Sequence, residues 1–151
     1  MKNIFFIALT ILLFSFGCKS AKNTEGGKKA QVQQKMTIDK TTKWILTSYN
    51  GQKPQEAGFK ERIPFLRIDK EKGSISGNSG CNSFSGSVEI DENKLKVGML
   101  AATKAYCMGV PEHEFFNFLN DADNYKIKGN KLQILKGDKV LMEFTGEKTE
   151  M

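Results

Sequence analysis

Few residues in this chain could carry chemistry. Cys81 stands in "GNSGCNSFSG" (77–86) among three glycines, three serines and two asparagines; Cys107 follows 26 residues later, and Cys18 lies near the start. A thiol in such a setting is a nucleophile, a metal ligand or half of a disulfide. A nucleophile needs a base and a depressed pKa, and a zinc site needs about four ligands. The chain has one histidine, His113, remote in sequence from Ser83 and Ser85, so a Ser-His-Asp relay has no grounding. "NDADN" (120–124) resembles the opening of a calcium loop but lacks the sixth-position glycine and the distal glutamate. Glu112 and Glu114, two apart, point to different sides of a helix and do not share a proton. No Gly-Lys-Ser/Thr accompanies the glycines, which argues against a phosphate loop.

The fate of the thiols depends on the compartment, which the amino-terminal residues address. After Met1-Lys2-Asn3, "IFFIALTILLFSFG" (4–17) is uncharged and apolar on every face. That is a signal-peptide pattern, too short for a bilayer span of about 20 residues. Gly17 directly precedes Cys18 and the polar "KSAKNTEGGKK", an arrangement that resembles a bacterial lipobox, although Ser15 and Phe16 depart from its preferred residues. The reading is a signal peptide over 1–17, lipidation at Cys18, and a basic, disordered tether over 18–40. For about 22 flexible residues the reach is on the order of 25 Å.

Charge divides unevenly along the chain. The tether carries six lysines against Glu25 and Asp39, whereas residues 41–151 hold 16 basic and 15 acidic side chains. The high pI therefore belongs to the tether, where it favours anionic lipid. No aromatic residues interleave with those lysines, so nucleic acid is not an expected partner. With Cys18 assigned to lipid, Cys81 and Cys107 form an even pair outside the cytoplasm, which reads as a disulfide. Closing 26 residues would stabilise the fold by about 3 to 4 kcal/mol in a chain-entropy estimate.

The elements that must position these residues are mostly short period-2 segments. "KWILTSY" (43–49), "IPFLRID" (63–69), "SISG", "FSGSVEI" and "KLKVGML" read as strands, the last two as a hairpin with Phe84, Gly86, Val88 and Ile90 on one face answered by Leu95, Val97 and Met99. "PEHEFFNFLNDAD" breaks the rhythm: Phe115, Phe118, Leu119 and Ala122 recur at helical spacing, behind Pro111 and two acids that suit a helix start. One of Phe115, Phe116 and Phe118 is expected to face away from that stripe as a partner surface. "YKIKG", "KLQILKG" and "KVLMEFTG" read as a closing meander with Gly-Asn and Gly-Asp turns. The expected fold, over 41–151, is mainly β: a small antiparallel, barrel-like sheet of seven to eight strands with one amphipathic α-helix covering an edge or end.

"SGNSGCNSFSG", "LAATKAYCM", Glu112 or Glu114 with "FFNFL", and the opening "WILTSYNG" together resemble the META domain of HslJ-like bacterial lipoproteins over residues 42–146. The resemblance implies a mainly-β barrel with one helix, and places Gly80, Cys81, Asn82, Thr103 and Cys107 at the motif positions. It also implies the bacterial envelope and stress or antibiotic tolerance, with no reaction attached.

The functional expectation is a non-enzymatic module without a cofactor. It is a monomer held at the outer membrane by its lipid, facing periplasm or cell surface, and it binds or scaffolds an envelope protein. One alternative is an inhibitor of a protease or lysozyme-type hydrolase, using the loop "NGQKPQEAGFKER" (50–62) and its Phe59. Another is a small-ligand carrier using the barrel mouth.

Overall fold

The computed structural model describes residues 38–149. The readings placed on the signal peptide, on Cys18 and on most of the tether lie outside those residues. Eight strands run in chain order: β1 (Thr42–Tyr49), β2 (Phe65–Asp69), β3 (Ser74–Asn78), β4 (Ser83–Asp91), β5 (Lys94–Ala102), β6 (Asn124–Lys128), β7 (Lys131–Lys136) and β8 (Lys139–Lys148). Among the described residues a single helix, α1 (Glu112–Asp121), lies in the connection between β5 and β6. Every strand pairs antiparallel with its successor and β8 returns to β1, so the sheet closes into a barrel-like ring.

Alternation along the strands explains the closure. Trp44, Leu46, Leu66, Ile68, Ile75, Val88, Leu132, Ile134, Met142 and Phe144 point inward and are buried, filling the interior with side chains. Each large apolar group removed from water contributes about 1.5–3 kcal/mol. Two-residue turns make the hairpins compact. Gly129 and Gly137 take φ of +60° and +55° at the first turn position, where a side chain would be strained.

Strict alternation fails where the ladder carries an extra residue. The β4–β5 register passes from Val88↔Val97 to Gly86↔Leu100, so β5 spends three residues where β4 spends two. Beyond that bulge the inward position moves by one, because side chains alternate with a period of two. Met99, expected on the inner face, is therefore turned outward and exposed, and half-buried Leu100 packs on the core in its place. A second bulge between Leu46 and Ser48 likewise puts Tyr49 inside.

Three further expectations are corrected. The second strand begins at Phe65 rather than Ile63, since Pro64 has no N–H for the ladder; its carbonyl accepts Leu46 N at 2.9 Å. Residues 38–40, assigned to the tether, belong to the folded part. The Asp39 carboxylate accepts Thr41 N (2.9 Å), Thr41 Oγ1 (2.6 Å) and Thr42 Oγ1 (3.0 Å) and pairs with Lys148 at 2.7 Å. Although partial burial works to raise it, these partners hold the Asp39 carboxyl well below the usual carboxylate range. Finally, none of the three helix phenylalanines faces away. Phe115 is buried, while half-buried Phe116 and Phe118 pack on Phe84 and Tyr49, with ring centroids 5.4 and 5.1 Å apart.

The ring is thinnest between β5 and β6. One registered pair, Lys94↔Asn124, joins them, flanked by Leu95 N to Asp123 O (3.1 Å) and Tyr125 N to Asn93 O (2.9 Å). α1 occupies that connection and turns Phe115, Leu119 and the following Ala122 into the core. Phe115 meets Phe59 and Phe84 at 6.3 and 6.0 Å. The helix thus caps the pole where β1 ends and β4 begins.

Candidate functional site: a stapled knuckle at one pole

At this pole the β3–β4 loop meets the segment between β5 and α1. The loop is shaped by local chemistry. Asn78 Oδ1 accepts Gly80 N at 2.9 Å, an Asx turn that carries Gly80 to φ +93°. A Cβ on Gly80 would stand 2.6 Å from Phe59 Cδ1 and 3.2 Å from Arg62 O, so space and dihedral both require glycine. Phe59 is fully buried. The expectation of an exposed, partner-binding Phe59 is therefore overturned: its ring packs edge-on against Tyr49 at 5.1 Å and forms the floor beneath Gly80. An aromatic ring in a polar loop is driven inward by its own area.

Asn82 joins the two segments. Its Nδ2 donates to Ala105 O (2.9 Å) and Glu112 Oε2 (2.8 Å), and its Oδ1 accepts Thr103 Oγ1 (2.8 Å) and Ala105 N (2.7 Å). All four hydrogen-bonding positions of the side-chain amide are thereby used. Glu112 Oε1 also accepts Asn82 N at 3.1 Å and the Ser79 hydroxyl, while Ser79 Oγ accepts Asn82 N at 3.0 Å. Beside this network Cys81 and Cys107 form the expected disulfide, with Cα atoms 5.8 Å apart.

The structure thus brings together Gly80, Cys81, Asn82, Thr103 and Cys107. It adds two residues whose place in the network sequence reasoning missed. The sequence reading names Glu112 as a helix-start acid and, with Glu114, as an alternative motif position, but gives it no partner, and it does not single out Ser79. No spacing rule could pair Glu112 with Asn82, 30 residues apart; only the fold of the β5–α1 connection does so.

His113, Ser83 and Ser85 are exposed, and among the described residues no hydrogen bond joins the histidine to either serine. Asp121 pairs with Lys136 at 3.2 Å, and Asp123 Oδ1 accepts Gly137 N at 2.8 Å. Among the described residues no three His, Cys, Asp or Glu converge as metal ligands. Burial pushes the Tyr49 hydroxyl well above its usual range, and the Glu114 carboxylate adds to that. That phenol stays protonated near neutrality.

Two large apolar side chains of the knuckle stand in solvent, beside the exposed Lys104. Tyr106 and Met108, on either side of Cys107, are 89% and 85% exposed. Next to Met108 an open groove of about 310 Å³ runs between Glu56–Gly58, Lys60 and Glu61 on one side and Gly109 and Val110 on the other. Gly58 holds that groove in shape at φ +113°, where a Cβ would come within 2.5 Å of Gly109 O. A saturated polar network and a covalent staple beside two exposed apolar side chains define a class: a small β-ring domain with a cross-linked loop at one pole.

The chain belongs to the META domain family, which matches residues 33–149. That match begins five residues before the first described one and includes the Asp39 anchor. No curated protein matches this chain. Three solved structures are similar in fold. One is an NMR structure of a protein 22% identical, with a TM-score of 0.56, covering 71% of this chain and 90% of its own. A Burkholderia xenovorans protein is 20% identical at TM-score 0.54, over 73% and 83% of the two chains. A DUF4847 family protein from Bacteroides vulgatus is 18% identical at TM-score 0.53, over 75% and 97%.

Proposed function

We propose that this chain is a non-enzymatic binding or scaffolding module of the bacterial envelope, anchored through a lipidated Cys18, whose stapled knuckle contacts a partner protein. One observation carries the reading. The polar atoms of the Asn82 and Glu112 side chains are taken up internally, while Tyr106 and Met108 are large apolar side chains left in solvent. A catalytic site needs a free base or nucleophile aimed at a substrate. A binding site needs apolar anchors, and the exposed Tyr106 and Met108 support that reading. The lipobox-like Gly17-Cys18 and the basic segment after it support placement at the outer membrane.

A photo-crosslinking residue at position 106, in cells expressing the full chain, tests this. The expected result is one discrete protein adduct in the membrane fraction, lost when Cys81 and Cys107 are both replaced by serine, with Cys18→Ser releasing the protein from that fraction. Absence of any adduct, or a wild-type chain recovered soluble with an unmodified Cys18, would overturn the proposal. The inhibitor reading keeps the same pole but must use Tyr106 or Met108 instead of Phe59. The carrier reading has less support, because the barrel interior is occupied by side chains such as Trp44 and Phe144.

A further inference from the structure

The described residues hold three methionines, and the fold divides them sharply. Met142 is fully buried inside the ring, whereas Met99 is 89% and Met108 85% exposed. Both described cysteines, Cys81 and Cys107, are already joined to each other. The thioethers of Met99 and Met108 are therefore the reduced sulfurs of the domain that an oxidant in solvent meets first.

Local structure holds Met108 out. Val110 N donates to Cys107 O at 3.3 Å and closes a turn with Met108 and Gly109 at its two corners. Gly109 takes φ +76°, the left-handed value that the second corner of a type II turn requires. Met108 follows the stapled Cys107 directly and lines the open groove with Ala57, Gly58 and Val110. Met99 does not line that groove. Oxidation of a core methionine disrupts packing, but a side chain as exposed as Met108 has little packing to lose. The fold is kept and the surface changes: an apolar anchor becomes a polar group that must be desolvated on contact.

We propose that Met108 is a reversible oxidation site, and that hydrogen peroxide, by converting its thioether to the sulfoxide, weakens the contact between the knuckle and its partner. The sulfur lone pair attacks one peroxide oxygen, the S–O bond forming as the O–O bond breaks. The hydroxide that leaves takes up the proton of the transferred oxygen, so thioether and peroxide give sulfoxide and water, and two electrons pass from sulfur to peroxide. Methionine sulfoxide reductase reverses the step with two thiols, returning thioether, water and a disulfide. This rests on the binding-module reading and deepens it, adding a regulation to the same surface.

The test uses the full-length chain, extracted with its lipid and carrying the photo-crosslinking residue at position 106. It is treated with hydrogen peroxide, cleared of it with catalase, and returned to membranes from cells that lack the chain. Peptide mass spectrometry is expected to find Met99 and Met108 oxidised about tenfold faster than buried Met142, or more. The adduct is expected to fall about tenfold as Met108 sulfoxide accumulates, the cost of desolvating one polar group, and to return after treatment with the reductase. A chain carrying Met36→Leu, Met99→Leu and Met151→Leu keeps Met108 and is expected to respond in the same way. The proposal is overturned if Met108 oxidises no faster than Met142, if the reductase does not restore the adduct, or if that variant no longer responds to peroxide. An adduct that survives full oxidation of Met108 overturns this proposal alone. No adduct before peroxide overturns the binding-module reading, and this proposal with it.

Discussion

At the scale of single residues, Asn82 binds two distant segments with one side chain. Replacing it with alanine removes the partner of Glu112 Oε2, of Thr103 Oγ1 and of both main-chain polar groups of Ala105, while Glu112 Oε1 keeps Asn82 N and Ser79. A lost hydrogen bond costs about 0.5–1.5 kcal/mol, and more to a charged group, so with four of them gone Asn82→Ala is expected to lower the unfolding free energy by about 3 kcal/mol or more, measured by urea titration. Asn82→Asp is expected to be comparably harmful, because it sets a second carboxylate against Glu112. Asp39 gives a prediction in pH. Its folded pKa is depressed, so protons bind the unfolded chain first, and its contribution is present above the unfolded value of about 3.9. The stability gap between wild type and Asp39→Asn should be constant near neutrality and close as pH falls below about 4. A gap that persisted or widened in acid would show that Asp39 acts other than through its ion pair and hydrogen bonds. The roles of these two residues were only half legible. Sequence marked Asn82 through the motif, but it placed Asp39 in a tether, because a carboxylate that organises the first turn of a domain looks the same in print as one that is merely solvated.

At the scale of elements, the hairpins and the helix could be read because their signals are local: alternation of two, recurrence at three and four, glycine at the turns. The bulges could not, since an extra residue in a ladder is defined by its cross-strand partner. Met99 shows the cost of that blindness, and it also supplies a check. With Val97 inward and Met99 outward, Met99→Lys should shift stability by no more than about 0.5 kcal/mol, whereas Val97→Lys should destabilise by several times that, by burying an unpaired charge. Thermal melts of the two variants decide it, and equal losses would mean that the register continues through the bulge. Phe59 was misread for a related reason. Its flanking loop is polar, and only the fold reveals that Tyr49, Phe115 and Gly80 close around its ring.

For the molecule as a whole, a ring with one thin seam should lean on its covalent link. Cys81 and Cys107 tie the β3–β4 loop to the connection that leads from the end of β5 into α1. Reduction is expected to remove about 3 to 4 kcal/mol by the chain-entropy estimate, and hydrogen exchange should then rise first in α1 and along β5. If exchange rose uniformly instead, the staple would act on the unfolded chain alone and not on the seam. The compartment argument that predicted this disulfide and the alternation that predicted a barrel-like sheet were both available from the chain itself. The identity of a partner was not, because an exposed Tyr106 exists only once its neighbours have folded.

The arrangement of β1 and β8 also fixes a polarity. Thr42 is paired with Lys148, and Thr149 N donates to Thr41 O at 2.8 Å, so the domain begins and ends side by side. Tyr49, at the far end of β1, joins the aromatic cluster beneath the knuckle. Eight residues of strand separate the two poles, on the order of 25 Å. A fluorophore at residue 38 and another at residue 149 should therefore report nearly the same distance to a third at residue 106, and a bead, a fusion or a surface joined at either terminus would leave the stapled pole unobstructed.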